Sequence, residues 1–173
     1  MVEWAGNVAG FLRVARVCAV LLGSLLALAG CGSGEDDSAG STEGACAYLT
    51  KDDVEGALDG PFAPPRRNEG SSGSAVQVCT WYPDAGNDAG KGGRGLVQLT
   101  VSRFEGKGRA QFDNQRKITP GATVISGVGE GAFAGRFGQN TKVTTLKGDH
   151  LVEVLSVNQQ IATELAKAVL ERV

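Results

Sequence analysis

Apolar and polar positions alternate most regularly from Leu96 to Phe104. Val97, Leu99 and Val101 face one way and Gln98, Thr100 and Ser102 the other, the pattern of a strand with one dry face. Ala75 to Tyr82 repeats the period of two, with Gln77, Cys79 and Trp81 on one side and Val76, Val78, Thr80 and Tyr82 on the other. Together the two segments predict an antiparallel hairpin. Ala132 to Phe137 predicts a further strand. Lys142 to Leu146 and His150 to Val157 predict a second hairpin across Lys147-Gly148-Asp149, in which Val152 and Val154 alternate with Glu153.

Helical patterns flank these strands. Thr50-Lys51-Asp52-Asp53 reads as a capping box, Val54 and Leu58 lie one turn apart, and Asp59-Gly60-Pro61 stops a helix of two to three turns. Arg109 to Lys117 holds helix formers but only Ala110 and Phe112 as apolar residues, and Thr119-Pro120-Gly121 ends it. Asn158 caps Gln159 to Val173, where Ile161, Leu165, Val169 and Val173 recur every four residues beside Ala162, Ala166 and Ala168. The order is therefore α-β-β-α-β-β-β-α. It predicts a single α+β domain over residues 45–173, an antiparallel β-sheet with short helices packed on one face.

The longest apolar run is of another kind. Val17 to Leu28 follows Arg13 and Arg16 and has the length of a signal-peptide core rather than of a membrane span. It ends at Leu28-Ala29-Gly30-Cys31. Ala29 and Gly30 are small enough for a narrow peptidase cleft, and the Cys31 thiol can be alkylated to a diacylglyceryl thioether before cleavage on its amino side. This resembles the bacterial lipoprotein signal: residues 1–30 are a signal peptide and Cys31 is the lipidated first residue of the mature chain. Two or three acyl chains of the palmitate kind, at about 0.8 kcal/mol per buried methylene, make a stable anchor where one is marginal. The competing reading is an ordinary secretory signal cleaved elsewhere, with Cys31 free or disulfide-bonded. The leader has no Arg-Arg pair, which points to the general secretory route. The expected location is the extracytoplasmic face of the cell membrane, reached by a lipid anchor.

Residues 31–44 continue as a Gly, Ser and acidic tether without a large apolar residue, too poor in buriable surface to order itself. Glu35-Asp36-Asp37 has no calcium-loop spacing and reads as solvated charge. Loss of Glu3, Arg13 and Arg16 with the leader takes the net charge from −2 to −3, which disfavours nucleic acid as a partner. The 26 glycines of 173 residues, about twice the usual share of roughly 7%, sit largely in short polar clusters and predict generous loops.

Of the four cysteines, Cys18 leaves with the leader and Cys31 is committed to lipid. Cys46 and Cys79 remain as one pair in an oxidising compartment, and a disulfide between them closes a loop of about 33 residues, worth about 3.5 to 4 kcal/mol by chain entropy. A two-thiol metal or redox site would want C-x-x-C spacing or a nearby histidine, and neither thiol has one.

Other candidates for chemistry have plainer alternatives. Arg66 and Arg67 are an anion contact or a solvated loop pair, and Trp81 is a ligand-stacking ring or core. Gly127-Val128-Gly129-Glu130-Gly131-Ala132 resembles a phosphate-cradling loop but lacks the Lys-Ser/Thr and the following helix. It reads better as a tight turn between Thr123-Val124-Ile125 and the next strand. His150, the single histidine, has no nucleophile or carboxylate at recognisable spacing. No catalytic residue, metal ligand or cofactor is predicted.

Cys46-x-x-Leu49-Thr50-x-Asp52-Asp53-Val54, Cys79-x-Trp81, Val97-x-Leu99-x-Val101, the Gly127 to Ala132 turn and Ala162-x-x-Leu165-Ala166-x-x-Val169 together resemble the actinobacterial lipoproteins of the domain-of-unknown-function 3558 type. The resemblance spans nearly the whole mature chain. It implies a lipidated envelope protein with one disulfide and an α+β domain, and it transfers no catalytic residue. The expected function is a monomeric, non-catalytic binding or accessory module for a lipid, a glycan or a membrane-protein partner. The alternative is an envelope hydrolase whose carboxylates come from distant positions. The shape of the free sheet face discriminates them. A deep apolar pocket suits a lipid or small molecule, a flat apolar patch suits a protein, and a cleft with two carboxylates suits an enzyme.

Overall fold

Two runs of neighbouring antiparallel strands meet along one seam. A computed structural model of the chain describes residues 44–67, 75–84 and 95–173. The signal peptide, Cys31 and all of the expected tether except Gly44 lie outside the described residues. Elements follow in the order α1 (Ala45–Tyr48), α2 (Lys51–Leu58), β1 (Arg66–Arg67), β2 (Val76–Trp81), β3 (Val97–Arg103), α3 (Gly108–Ile118), β4 (Thr123–Ile125), β5 (Gly131–Phe137), β6 (Asn140–Lys147), β7 (His150–Ser156) and α4 (Gln159–Leu170). The sheet order is β1-β2-β3-β7-β6-β5-β4, antiparallel at every pairing. β1 to β3 form one meander and β4 to β7 the other; β3 joins β7, and α3 carries the chain between them.

The α+β domain with an antiparallel sheet is the architecture expected, with three further elements. α1, β1 and β4 are four, two and three residues long, too short to show a period in the sequence. Side-chain alternation along the sheet then sorts the core. Cys79, Trp81, Leu99, Val143, Val152 and Val154 point to one face and are buried with α1, α2 and α4. On α4 the buried residues are Ala162, Leu165, Ala166 and Val169, so the small alanines lie against the sheet and Ile161 is only half-buried.

α3 departs from the expectation of helices on one face. Its one large buried side chain, Phe112, packs with Phe133, Leu146 and Leu151, and these alternate with the residues beneath α4. The Phe112 and Phe133 ring centres are 5.3 Å apart at a tilt of 60°, a favourable aromatic geometry. The second face of the sheet offered an apolar corner there, and a helix with a single aromatic anchor fills it.

The three helices of the first face are clamped by polar contacts. The Thr50 hydroxyl accepts from the Asp53 amide at 3.2 Å, and the Asp53 carboxylate accepts from the Thr50 amide at 2.8 Å, closing the predicted capping box. Arg172, just past α4, donates through both guanidinium nitrogens to Asp53, and also to the Tyr48 carbonyl at 3.1 Å. One forked side chain thus ties α4 to α1 and α2. At the same end of α4, Lys147 donates to the carbonyls of Leu170 and Val173.

The Arg172 hydrogen bond, aided by those from Thr50 and opposed by burial, holds the Asp53 carboxyl well below the ordinary carboxylate range. A group with a depressed folded value adds stability that is complete above the unfolded value of about 3.9 and is lost as pH falls below it. Arg172→Gln is therefore expected to flatten the loss of unfolding free energy between about pH 6 and about pH 3, by about 1 kcal/mol after discounting for solvent screening. Denaturant titrations of both proteins at the two pH values measure it. Cys46 and Cys79 are bonded, with Cα atoms 5.2 Å apart and 33 positions between them in sequence, joining α1 to β2. The Cys46→Ala/Cys79→Ala double variant should lose about 2 to 5 kcal/mol of stability, read from the same titrations in oxidising buffer.

Candidate functional site

The sheet face opposite α4 is covered by α3 only at its Phe112 corner, and the remainder forms an open groove. Its floor is set by register. Gln98 and Thr100 of β3, Glu153 and Leu155 of β7, and Lys142 of β6 all alternate to this side. Its walls are α3, with Gln111, Gln115 and Ile118, and the exposed Phe137 at the end of β5. A cavity of about 340 Å³ lies between α3, Pro120 and Phe137, and one of about 130 Å³ lies over the β3 and β7 floor. Phe137 and Lys142 line both, so the two adjoin.

One close approach gives the groove its shape. A Cβ at Gly135 would stand 2.3 Å from the Thr119 Cγ2 atom, so only glycine there lets the end of α3 rest on β5. The wall therefore turns away at Thr119-Pro120, leaving Ile118 78% and Phe137 63% exposed on either side of the opening. Both side chains line the same cavity.

Lys142 donates directly to Glu153, both half-buried on the floor. Arg136 contributes to the rim through its place between Gly135 and Phe137, but the register sends its side chain to the α4 face with Ala134 and Thr141. Among the described residues, Glu153 is the single carboxylate lining the groove. A lone carboxylate already engaged by lysine is not the separated acid pair that glycoside hydrolysis needs.

The residues singled out from sequence are placed elsewhere. Trp81 and the Cys46–Cys79 bridge are buried together beneath the helices, so the indole is core. The Arg66 guanidinium lies 5.8 Å from the centre of the Tyr82 ring at the β1 edge. His150 lines a cavity of about 190 Å³ with Tyr48, Gln77 and Arg103, and among the described residues no carboxylate or thiol joins it there. In the Gly127 to Ala132 turn, Gly129 has φ +54°, and a Cβ would stand 2.5 Å from the Leu146 carbonyl. The turn is spent on structure. Glu130 accepts from the Gly148 amide at 2.6 Å, and the Thr145 hydroxyl donates to the Gly131 carbonyl at 3.1 Å. Among the described residues, no three His, Cys, Asp or Glu side chains gather to hold a metal, and no helix is long and apolar enough to cross a membrane.

Sequence reasoning passed over the groove because Ile118 and Phe137 read as ordinary element ends. The available signal was that both lie at polar, turn-rich boundaries where no core period accounts for them. The two classes of aromatic should separate experimentally. Phe133→Ala is expected to cost about 3 to 5 kcal/mol, whereas Phe137→Ser and Ile118→Ser should shift stability by less than about 0.5 kcal/mol in denaturant titration.

No protein-family model and no curated protein matches the chain. Among solved structures the chain is similar to a GTP binding regulator from Thermotoga maritima, with 17% sequence identity, covering 69% of this chain and 84% of that one, at a TM-score of 0.42.

Proposed function

We propose that this protein is a lipid-anchored lipoprotein of the bacterial cell envelope, of the domain-of-unknown-function 3558 type, whose α+β domain is a non-catalytic binding or accessory module. The observation that carries the reading is the groove: exposed Ile118 and Phe137 flank its mouth, and the one carboxylate lining it among the described residues is tied to Lys142. Such a surface suits holding a partner better than moving a proton, because among the described residues no second carboxylate, histidine or cysteine lines the groove with Glu153. The anchor reading rests on Leu28-Ala29-Gly30-Cys31 behind its apolar run. It sets the domain on the extracytoplasmic side, where its neighbours are envelope lipids, glycans and membrane proteins.

Two measurements test the two halves. The native protein should fractionate with membranes and show a mass increment of acyl chains on Cys31, and Cys31→Ser should lose both; equal membrane retention of the variant would sink the anchor. A benzophenone amino acid placed at position 137 in the full chain should capture an envelope component in living cells, and the same group at Glu171 should not. Indistinguishable capture from the two positions would remove the groove as the binding surface.

A further inference from the structure

A second cavity lies on the other face of the sheet, at the start of α4. The helix packs chiefly over β6 and β7, and the small Ala134 side chain of β5 leaves space beside its first turn. The space is about 350 Å³, between β5, β6 and the Asn158–Gln159 end of the helix. Arg136 is the one charged side chain among the described residues that line it. The register sets Arg136 opposite Thr141 on the α4 face, exposed and without an acidic partner among the described residues.

Hydroxyl groups and helix amides meet at the same place. Thr141 lines the cavity at 7% exposure, and its hydroxyl has no hydrogen-bond partner among the described residues. Across the strand from it, Ser156 is fully buried with its hydroxyl equally unpartnered. Buried hydroxyls are as a rule paired, so one that opens onto a cavity is a donor held ready for what enters. The Asn158 side chain accepts from the Ile161 amide, which leaves the Gln159 and Gln160 amides without a helical partner. The first turn of α4 carries no acidic side chain, whereas that of α2 carries Asp52 and Asp53. The positive end of the α4 dipole is therefore left for an outside anion.

We propose that this cavity binds a terminal phosphate group. Its donors come from three elements, β5, β6 and α4, more directions than the two oxygens of a carboxylate meet, and a phosphate presents three terminal oxygens to them. The site lies on the face opposite the groove, so it goes beyond the binding-module reading and stands or falls separately from it.

The test records backbone amide NMR spectra of the full, acylated chain in phosphatidylcholine nanodiscs. Inorganic phosphate and acetate are titrated in, and a second preparation carries phosphatidic acid in the bilayer. Inorganic phosphate should shift the Thr141, Gln159 and Gln160 amides together and saturably, and acetate should bind about tenfold more weakly. Arg136→Gln should weaken phosphate binding about tenfold, the scale of one charge-assisted contact, and Thr141→Val about threefold. Without phosphate, Thr141→Val should keep the denaturant midpoint of the parent, because the hydroxyl it removes has no partner to lose. A response to inorganic phosphate marks a soluble phosphate as the source, and a response to phosphatidic acid alone marks a lipid headgroup; either supports the site. Silence in both arms, equal binding of acetate, affinity untouched by Arg136→Gln, or a lowered midpoint for Thr141→Val would each overturn it.

Discussion

The six residue pairs that join β3 to β7 are the constraint on which the rest of the structure depends. They bring together strands separated in the chain by α3 and all of β4, β5 and β6, so their formation carries the largest loop-closure cost in the sheet. Val154 sits between Leu99 on one side and Val143 on the other, at the centre of the core under α4. The same register sends Gln98, Thr100, Glu153 and Leu155 to the opposite face. A slip of one residue would exchange the two sets, burying Glu153 beneath α4 and exposing Val154. Core and groove floor are thus one decision.

What secures that decision is gathered on a single side. The Cys46–Cys79 bridge fixes α1 on β2, and α1 and α2 are held to α4 by the Arg172 fork. Asn158 caps one end of α4, and Lys147 meets carbonyls at the other. Each of the polar contacts satisfies backbone groups or a carboxylate that the helix ends would otherwise leave to water. None of them touches the groove.

This division explains what could be read from the sequence. Strands β2 and β3 were legible because Cys79, Trp81, Leu99 and Val101 keep a strict period of two, and the capping box at Thr50 and the Asn158 cap are local patterns. The Asp53–Arg172 clamp was not legible, since its members lie 119 positions apart and each reads alone as a surface charge. The side on which α3 docks was equally hidden. Phe112 supplies one apolar contact where a direction needs a stripe, and the receiving corner of Phe133, Leu146 and Leu151 is assembled from three different strands. The groove inherits that illegibility, because its walls exist only once α3 has taken its place.

The lone Phe112 anchor also divides the molecule mechanically. One side of the sheet is stiff, with three helices cross-linked by covalent, ionic and capping contacts. The other carries a helix seated by Phe112 on Phe133, Leu146 and Leu151, by Gly108 against Gly148 and Asp149, and by Thr119 against Gly135. Elements with few buried contacts open at the low end of a protein's range of local stabilities. α3 therefore belongs to the loosely tied face of the sheet and α4 to the cross-linked one, so the groove is built on the side with the smaller reserve of local stability.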